Sequence, residues 1–134
     1  MTRVSVVIPT YNRADLIMET LETVFAQTYT NYEVLVVDNC STDTTREILQ
    51  PLIDSQKIRY ICNEKNYERA YSRNVGMANA TGDFLTLLDS DDFMYATCLQ
   101  DAYQFIHDNP DLQVFHNKFE VVNNQREVIY KTPF

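Results

Sequence analysis

Short apolar runs alternate with helical patterns along most of this chain, and that alternation limits the fold more than any other feature. Residues 4–8, 33–37, 58–62 and 84–88 read as buried strands. Residues 14–27 place Ile17, Leu21, Val24 and Phe25 on one face, the spacing of an amphipathic helix. Ser41 or Thr42 can cap a second helix that runs to about Gln50, where Pro51 is expected to stop it. Residues 68–80 read as a third helix closed by Thr81-Gly82-Asp83, and residues 95–108 as a fourth, stopped by Asn109-Pro110. Residues 114–122 and 127–130 look like strands joined through Asn123-Asn124-Gln125. The expected fold is α/β, a doubly wound, mostly parallel, Rossmann-like sheet with right-handed crossovers. At 134 residues the chain is expected to form a single domain over 1–134.

The fourth strand runs into Asp89-Ser90-Asp91-Asp92. The carboxyl end of a strand is where an open α/β sheet receives its ligands. Carboxylates packed this closely repel one another, and a cation relieves that repulsion; hard oxygen donors favour Mg²⁺ or Mn²⁺. Capping of a following helix would need only one or two of these acids. The cluster from Asp89 to Asp92 is therefore expected to hold a metal, with a phosphate group held through it.

The ends of the other strands carry polar segments of the same kind. Pro9-Thr10-Tyr11-Asn12-Arg13 leaves the first strand; Tyr11 can stack on a base while Thr10 bonds its edge, although a plain strand-to-helix turn would look the same. Asp38 ends the second strand, where an acid can accept from a nucleobase N–H or a ribose hydroxyl. Asp43 suits helix capping and ligand contact equally. In the third helix Arg73 can reach a diphosphate through paired N–H donors. Arg69 and Lys65 are weaker candidates, and a solvated face is the better reading of Arg69. His107 reads as a surface residue. His116, in an expected strand, could be a third metal ligand but is better read as structural.

Composition excludes several classes. The formal net charge of −8 argues against an extended nucleic-acid surface, so an anionic ligand must be met locally. The chain has two glycines, Gly76 and Gly82, too few for a dinucleotide fingerprint or P-loop. Three cysteines, Cys40, Cys62 and Cys98, without paired spacing suggest reduced thiols and a cytoplasmic setting. Met1-Thr2-Arg3 leads straight into a strand, so no signal peptide is expected. No apolar stretch approaches the ~20 residues of a membrane span. Association with the inner face of a membrane remains compatible with this reading.

Together these segments resemble the family 2 glycosyltransferases, which have the GT-A nucleotide-sugar fold. The resemblance rests on residues 4–13, on residues 33–38 with Ser41-Thr42-Asp43, on Arg73-Asn74-Val75-Gly76, on Ala80-Thr81-Gly82-Asp83 and on Leu88-Asp89-Ser90-Asp91-Asp92. It covers the chain from Val4 to about Leu99. It implies that Pro9, Thr10, Tyr11, Asp38, Arg73, Asp89 and Ser90 bind the nucleotide. It also implies that Asp89 and Asp91 hold Mn²⁺ or Mg²⁺ at the diphosphate. The family commonly has Asp and Gly where this chain has Asn39 and Cys40, Gly at Glu68, Ala at Ser72 and Pro at Ala96. Family members are usually much longer, and their later half supplies acceptor contacts and an acidic base. Nothing after Asn109 resembles that half, so the chain reads as the N-terminal, donor-binding part of a longer protein.

The function implied is metal-dependent, inverting transfer of a sugar from a nucleotide-diphospho-sugar, with a leaning to UDP-sugars. The acceptor would be a carbohydrate or lipid-linked hydroxyl, in cell-wall, capsule or glycoconjugate synthesis. No catalytic base is assigned; Asp111 and Glu120 have no motif around them. The chain alone is accordingly expected to transfer little sugar, and a non-catalytic nucleotide-sugar-binding module is the alternative. A phosphatase of the haloacid dehalogenase type also uses an Asp-x-Asp element, but its nucleophile would follow the first strand, where Pro9-Thr10-Tyr11 stands. Uncovered edge strands near the C-terminus favour self-association, making a homodimer an expected partner.

Overall fold

In the computed structural model, which describes residues 2–133, the first strand is buried along its whole length. This strand, β1 (Val4–Thr10), is followed by α1 (Ile17–Phe25), β2 (Tyr32–Asp38), α2 (Thr45–Asp54), β3 (Arg59–Cys62), α3 (Arg69–Asn79) and β4 (Phe84–Leu87). Then come α4 (Cys98–Asp108), β5 (Glu120–Val122) and β6 (Val128–Lys131). The residues fall into two compact units, 1–104 and 105–134.

The first unit holds a parallel sheet in the order β3-β2-β1-β4, with Val4 opposite both Tyr32 and Phe84. The alternating strand residues Val4, Val6, Ile8, Val34 and Val36 cluster with Ile17, Leu21, Val24 and Leu49 of α1 and α2. The intervening residues face α3. There a Cβ on Gly76 would stand 2.2 Å from Val7 Cγ1 and 3.3 Å from Val37 Cγ2, so only glycine lets the helix lie this close to the sheet. Helices on both faces make the sheet doubly wound, as expected. The central strands β1 and β2 are fully covered, which is why they read as continuous apolar runs. β4 lies at an edge and leaves Leu85 and Leu87 exposed.

The amino-terminal edge of the sheet is closed by one carboxylate. Glu33, directly opposite Ser5, accepts from Ser5 Oγ at 2.7 Å, Thr81 N at 2.6 Å, Thr81 Oγ1 at 2.8 Å and Arg59 Nη1 at 3.0 Å. Arg3 stands 3.7 Å away. Burial alone would push its carboxyl group up, but the donors from Ser5, Thr81 and Arg59 outweigh burial and hold it down at about 2.

Several boundaries differ from the expected ones. α1 starts at Ile17, because Arg13 C=O accepts from the Leu16 and Ile17 N–H groups in a preceding turn. Pro51 lies inside α2 and does not end it. Proline removes the bond to the Glu47 carbonyl. Both residues are exposed, so water can take that carbonyl while Leu52 and Ile53 continue onto the core. Neither Ser41 nor Thr42 caps α2: the N-cap is Thr44, whose side chain makes no cap bond, and Asp43 before it takes the first N–H of the helix, Oδ1 accepting from Thr45 N at 3.0 Å and Thr45 Oγ1 at 2.5 Å.

The second unit contains an antiparallel β5–β6 pair with an irregularity at Val121/Val122. Asn123 Oδ1 closes the turn by accepting from the Gln125 and Glu127 N–H groups. Residues 114–119, expected to be strand, lie outside β5, because the ladder with β6 begins only at Glu120 opposite Lys131. Val114 and Ile129 are 84% and 65% exposed. Among the described residues, no helix is long and apolar enough to cross a membrane.

Candidate functional site

In the parallel sheet the strand order reverses at β1, whose neighbours β2 and β4 are reached by opposite crossovers. Ligand crevices form outside the carboxyl ends of strands at such a point. A cleft of about 270 Å³ opens there. It is lined by Pro9, Thr10, Tyr11 and Arg13 after β1, by Asn39 after β2, and by Asn66 and Tyr67 after β3. Arg69 and Ser72 of α3, with Asp89, Ser90 and Asp91 after β4, complete it.

The loops after β1 and β2 are joined by side chains about thirty residues apart. Asn12 adopts the left-handed region (φ 49°), which asparagine tolerates. Its Oδ1 accepts from Thr42 N at 2.8 Å and Asp43 N at 3.3 Å, while its own N–H donates to Ser41 Oγ at 2.9 Å. Arg13 N donates to Thr45 Oγ1 at 3.1 Å, and Ala14 N to Asp43 Oδ2 at 3.2 Å. Asp43 is thereby engaged with the first N–H of α2 and in holding the first loop.

Six of the expected site residues, Pro9, Thr10, Tyr11, Asp89, Ser90 and Asp91, line the one cleft. Asp38 and Arg73 are not among its lining residues. Asp38 is 1% exposed. Its Oδ1 accepts from Ser41 N at 2.8 Å and its Oδ2 from Tyr60 Oη at 2.5 Å. Burial first, then this bond to a carboxylate, pushes the Tyr60 hydroxyl well above its ordinary value, so it stays a donor. Each Asp38 oxygen retains a second lone pair. Arg73 instead reaches Asp89, Nη2 to Oδ1 at 2.7 Å. Arg69, read as a solvated residue, lines the cleft, and Lys65 lies 5.1 Å over the Tyr67 ring. His116 is exposed and outside any strand.

Two polar atoms in this region are buried without a hydrogen-bond partner among the described residues: Thr10 Oγ1 and Arg73 Nε. Such groups are costly unless something supplies the missing partner. The acidic loop shows the same incompleteness. Asp91 is met by Arg13 at 3.4 Å. Asp92 is pushed above the usual carboxylate range by burial first and then by the charges of Asp89 and Asp91.

This donor set fits Mg²⁺ or Mn²⁺ bound in the ordinary way for such ions, by one or two carboxylates with substrate phosphates and water filling the rest. Asp89 and Asp91 would be the protein ligands, and Arg13 and Arg73 the cations beside them. No group of three or more His, Cys, Asp or Glu side chains placed to hold a metal ion occurs among the described residues.

Sequence reasoning passed over Asn66 and Tyr67 as site residues and recorded Asn39 and Ser72 only as departures. The available signal was the polar segment Asn63-Glu64-Lys65-Asn66, which leaves the end of β3 just as the other loops leave theirs.

Comparison with known proteins points the same way. The model of Glycosyl transferase family 2 matches residues 5–131. An uncharacterised glycosyltransferase of Rickettsia felis is 35% identical over 96% of this chain and 21% of its own length. WfaP of Escherichia coli, a UDP-Glc:α-D-GlcNAc-diphosphoundecaprenol β-1,3-glucosyltransferase, is 37% identical over 79% of this chain and 42% of its own. Among solved structures, Staphylococcus aureus TarS 1–349 in complex with UDP-GlcNAc superposes with a TM-score of 0.74 at 34% identity, over 81% of this chain and 32% of that one. The mannosyltransferase PcManGT of Pyrobaculum calidifontis, in complex with GDP-Man and Mn²⁺, gives a TM-score of 0.69 at 32% identity, over 81% and 33%. The chain thus spans between about a fifth and two fifths of these relatives.

Proposed function

Because the chain belongs to the family 2 glycosyltransferases, we propose that it binds a UDP-sugar with Mn²⁺ or Mg²⁺ and serves the transfer of that sugar, with inversion, to an acceptor hydroxyl. The observation that carries this reading is the meeting of Asp89 and Asp91 with Pro9, Thr10 and Tyr11 in one cleft at the point where the strand order reverses. The UDP-GlcNAc complex of TarS and the UDP-glucose donor in the name of WfaP support a uridine nucleotide. The Mn²⁺ of PcManGT supports a divalent cation. The diphosphoundecaprenol in the name of WfaP supports a lipid-linked acceptor, and the teichuronic acid biosynthesis in the name of TuaG of Bacillus subtilis supports polysaccharide synthesis.

In this reading Tyr11 stacks on the base. Thr10 Oγ1 bonds a polar atom of the nucleoside and Ser90 joins it in the nucleotide site, while the buried Asp38 supports the site from beneath through Ser41 and Tyr60. Arg73 and Arg13 lie beside the acidic loop, where they face the diphosphate as well as the two carboxylates. The cation, when bound, offsets charge that develops on the departing nucleoside diphosphate.

A specific observation favours a second reading. Among the described residues Asp89 and Asp91 are the only carboxylates lining the cleft, and both are engaged with the metal role and an arginine. No lining residue is then left to take the acceptor's proton, which suits a donor-binding module completed by further chain.

Titration calorimetry with UDP tests the main reading. Affinity is expected to rise when Mn²⁺ replaces chelator. Equal affinity in both conditions would contradict a metal-assisted donor site. Sugar transfer by the 134-residue chain at about 1–10³ s⁻¹ would place the base inside it and dismiss the second reading.

A further inference from the structure

The part of the cleft built by Asn66 and Tyr67 belongs to no strand or helix; it lies between β3 and α3. The Asn39 side chain makes four hydrogen bonds to it, beside the backbone bond from Asn63 N to Asp38 C=O at 2.8 Å. Asn39 Oδ1 accepts from Tyr67 N at 2.9 Å and from Asn63 Nδ2 at 3.0 Å. Its Nδ2 donates to Tyr67 C=O at 2.7 Å and to Asn66 Oδ1 at 2.7 Å. A primary amide has two acceptor lone pairs and two N–H donors, so all four positions are filled. The residue is 7% exposed, which makes each bond hard to replace with water. Asn63 Nδ2 carries the network on to Ser72 Oγ at 2.9 Å, and Ser72 also lines the cleft.

We infer that Asn39 is a positioning residue of the donor cleft: its amide clamps the segment from Asn63 to Tyr67 and so sets where Asn66 and Tyr67 stand against the nucleotide. The inference rests on the nucleotide reading above. Gripping both the N–H and the C=O of Tyr67 requires a donor and an acceptor side by side on one short side chain, which an amide supplies and a carboxylate does not. An ionised carboxylate here would set an oxygen against the Tyr67 carbonyl, two acceptors at hydrogen-bond distance. Protonation would restore one donor. The Tyr67 ring follows its backbone, stacked on Tyr71 at 4.1 Å with Lys65 above it, so a loosened clamp moves the whole stack. The charged groups around this clamp are Asp38 next to it in the chain, Lys65 on the Tyr67 ring and Arg69 in the cleft.

The test is UDP affinity in the presence of Mn²⁺ for the wild type and Asn39→Asp, compared at pH 7.5 and pH 5 with circular dichroism confirming the fold at both. The variant is expected to bind about tenfold more weakly at pH 7.5, the scale of one buried hydrogen bond lost. The gap is expected to narrow at pH 5. A role confined to stability would lower the melting temperature and leave the affinity ratio the same at both values. Equal affinity at pH 7.5, or a ratio unmoved by pH, overturns the inference. If Asn39→Asp does not fold, Asn63→Ala replaces it, since Asn63 is not among the lining residues and supports the clamp from behind. Several-fold weaker binding is then expected, and unchanged binding overturns the inference. A wild type that fails to bind UDP overturns the nucleotide reading and this inference with it. Binding by the wild type with no difference in the variants overturns this inference alone.

Discussion

The two edges of the parallel sheet handle carboxylates in opposite ways. At the amino-terminal edge Glu33 is buried and takes donors from Ser5, Thr81 and Arg59, with Arg3 close by. At the carboxyl-terminal edge Asp89 and Asp91 each meet a single arginine, crowd Asp92, and share the region with the buried, unpartnered Thr10 Oγ1 and Arg73 Nε. The first arrangement is complete without a ligand. The second leaves charge and hydrogen-bonding capacity unspent, and that incompleteness separates a binding edge from a structural one more sharply than acidity does.

The largest expected effect lies at the closed edge. Glu33→Gln should destabilise the fold by about 3 kcal/mol, because it removes the buried charge on which Ser5, Thr81 and the half-exposed Arg59 and Arg3 converge. Since the folded carboxyl group is held at about 2 against an ordinary 4.5, its contribution is fully present above pH 4.5. It is lost as pH falls from there towards 2, amounting to about 3 kcal/mol in all. Urea denaturation across that range reads this directly. A Glu33→Gln variant whose stability falls as steeply with acid as the wild type would break the comparison.

The open edge should respond the other way. Asp91→Asn is expected to change stability by less than about 0.5 kcal/mol, since the pair with Arg13 is exposed. It should remove the Mn²⁺-dependent gain in UDP affinity, about tenfold or more for a charge-assisted contact. Paired chemical denaturation and calorimetry separate these outcomes, and a large loss of stability would make the acidic loop structural after all.

The smallest effect concerns backbone strain beside the cleft. Cys40 follows Asn39 with φ at 64°, in the left-handed region that costs a residue with a Cβ. Cys40→Gly should therefore raise stability by about 0.5–1 kcal/mol, visible as a higher melting temperature with UDP affinity kept. A lower melting temperature would show that the thiol, 3.9 Å from the Glu64 carbonyl oxygen, contributes more than the strain costs.

What could be read in advance follows from how local each signal is. β1 and β2 announced themselves because burial on both faces makes a continuous apolar run, β4 kept such a run although Leu85 and Leu87 are exposed at the edge, and the loops at the ends of β1 and β4 carried the tyrosine and the acids now found together. Residues 114–119 misled because an apolar run becomes strand only where a partner ladder exists, and β6 pairs from Glu120 onward. Pro51 misled because the cost of its missing N–H depends on whether the carbonyl one turn back can reach water. Asn66 and Tyr67 stayed hidden because their place is imposed by Asn39 across 27 and 28 residues, a relation no local pattern records.

The sheet order also sets a timetable. Of the four strands of this sheet β1 is synthesised first, and it sits between β2 and β4. The link from Arg3 N to Asp83 spans 80 residues of chain. At about 5–20 residues per second, a nascent β1 waits several seconds before its second neighbour exists. Until then one side of a buried, mostly apolar strand has nothing to pair with, and the acidic loop has no place to stand. The half of the cleft that would grip the base can therefore form early with β2, while the half that would hold the diphosphate closes last.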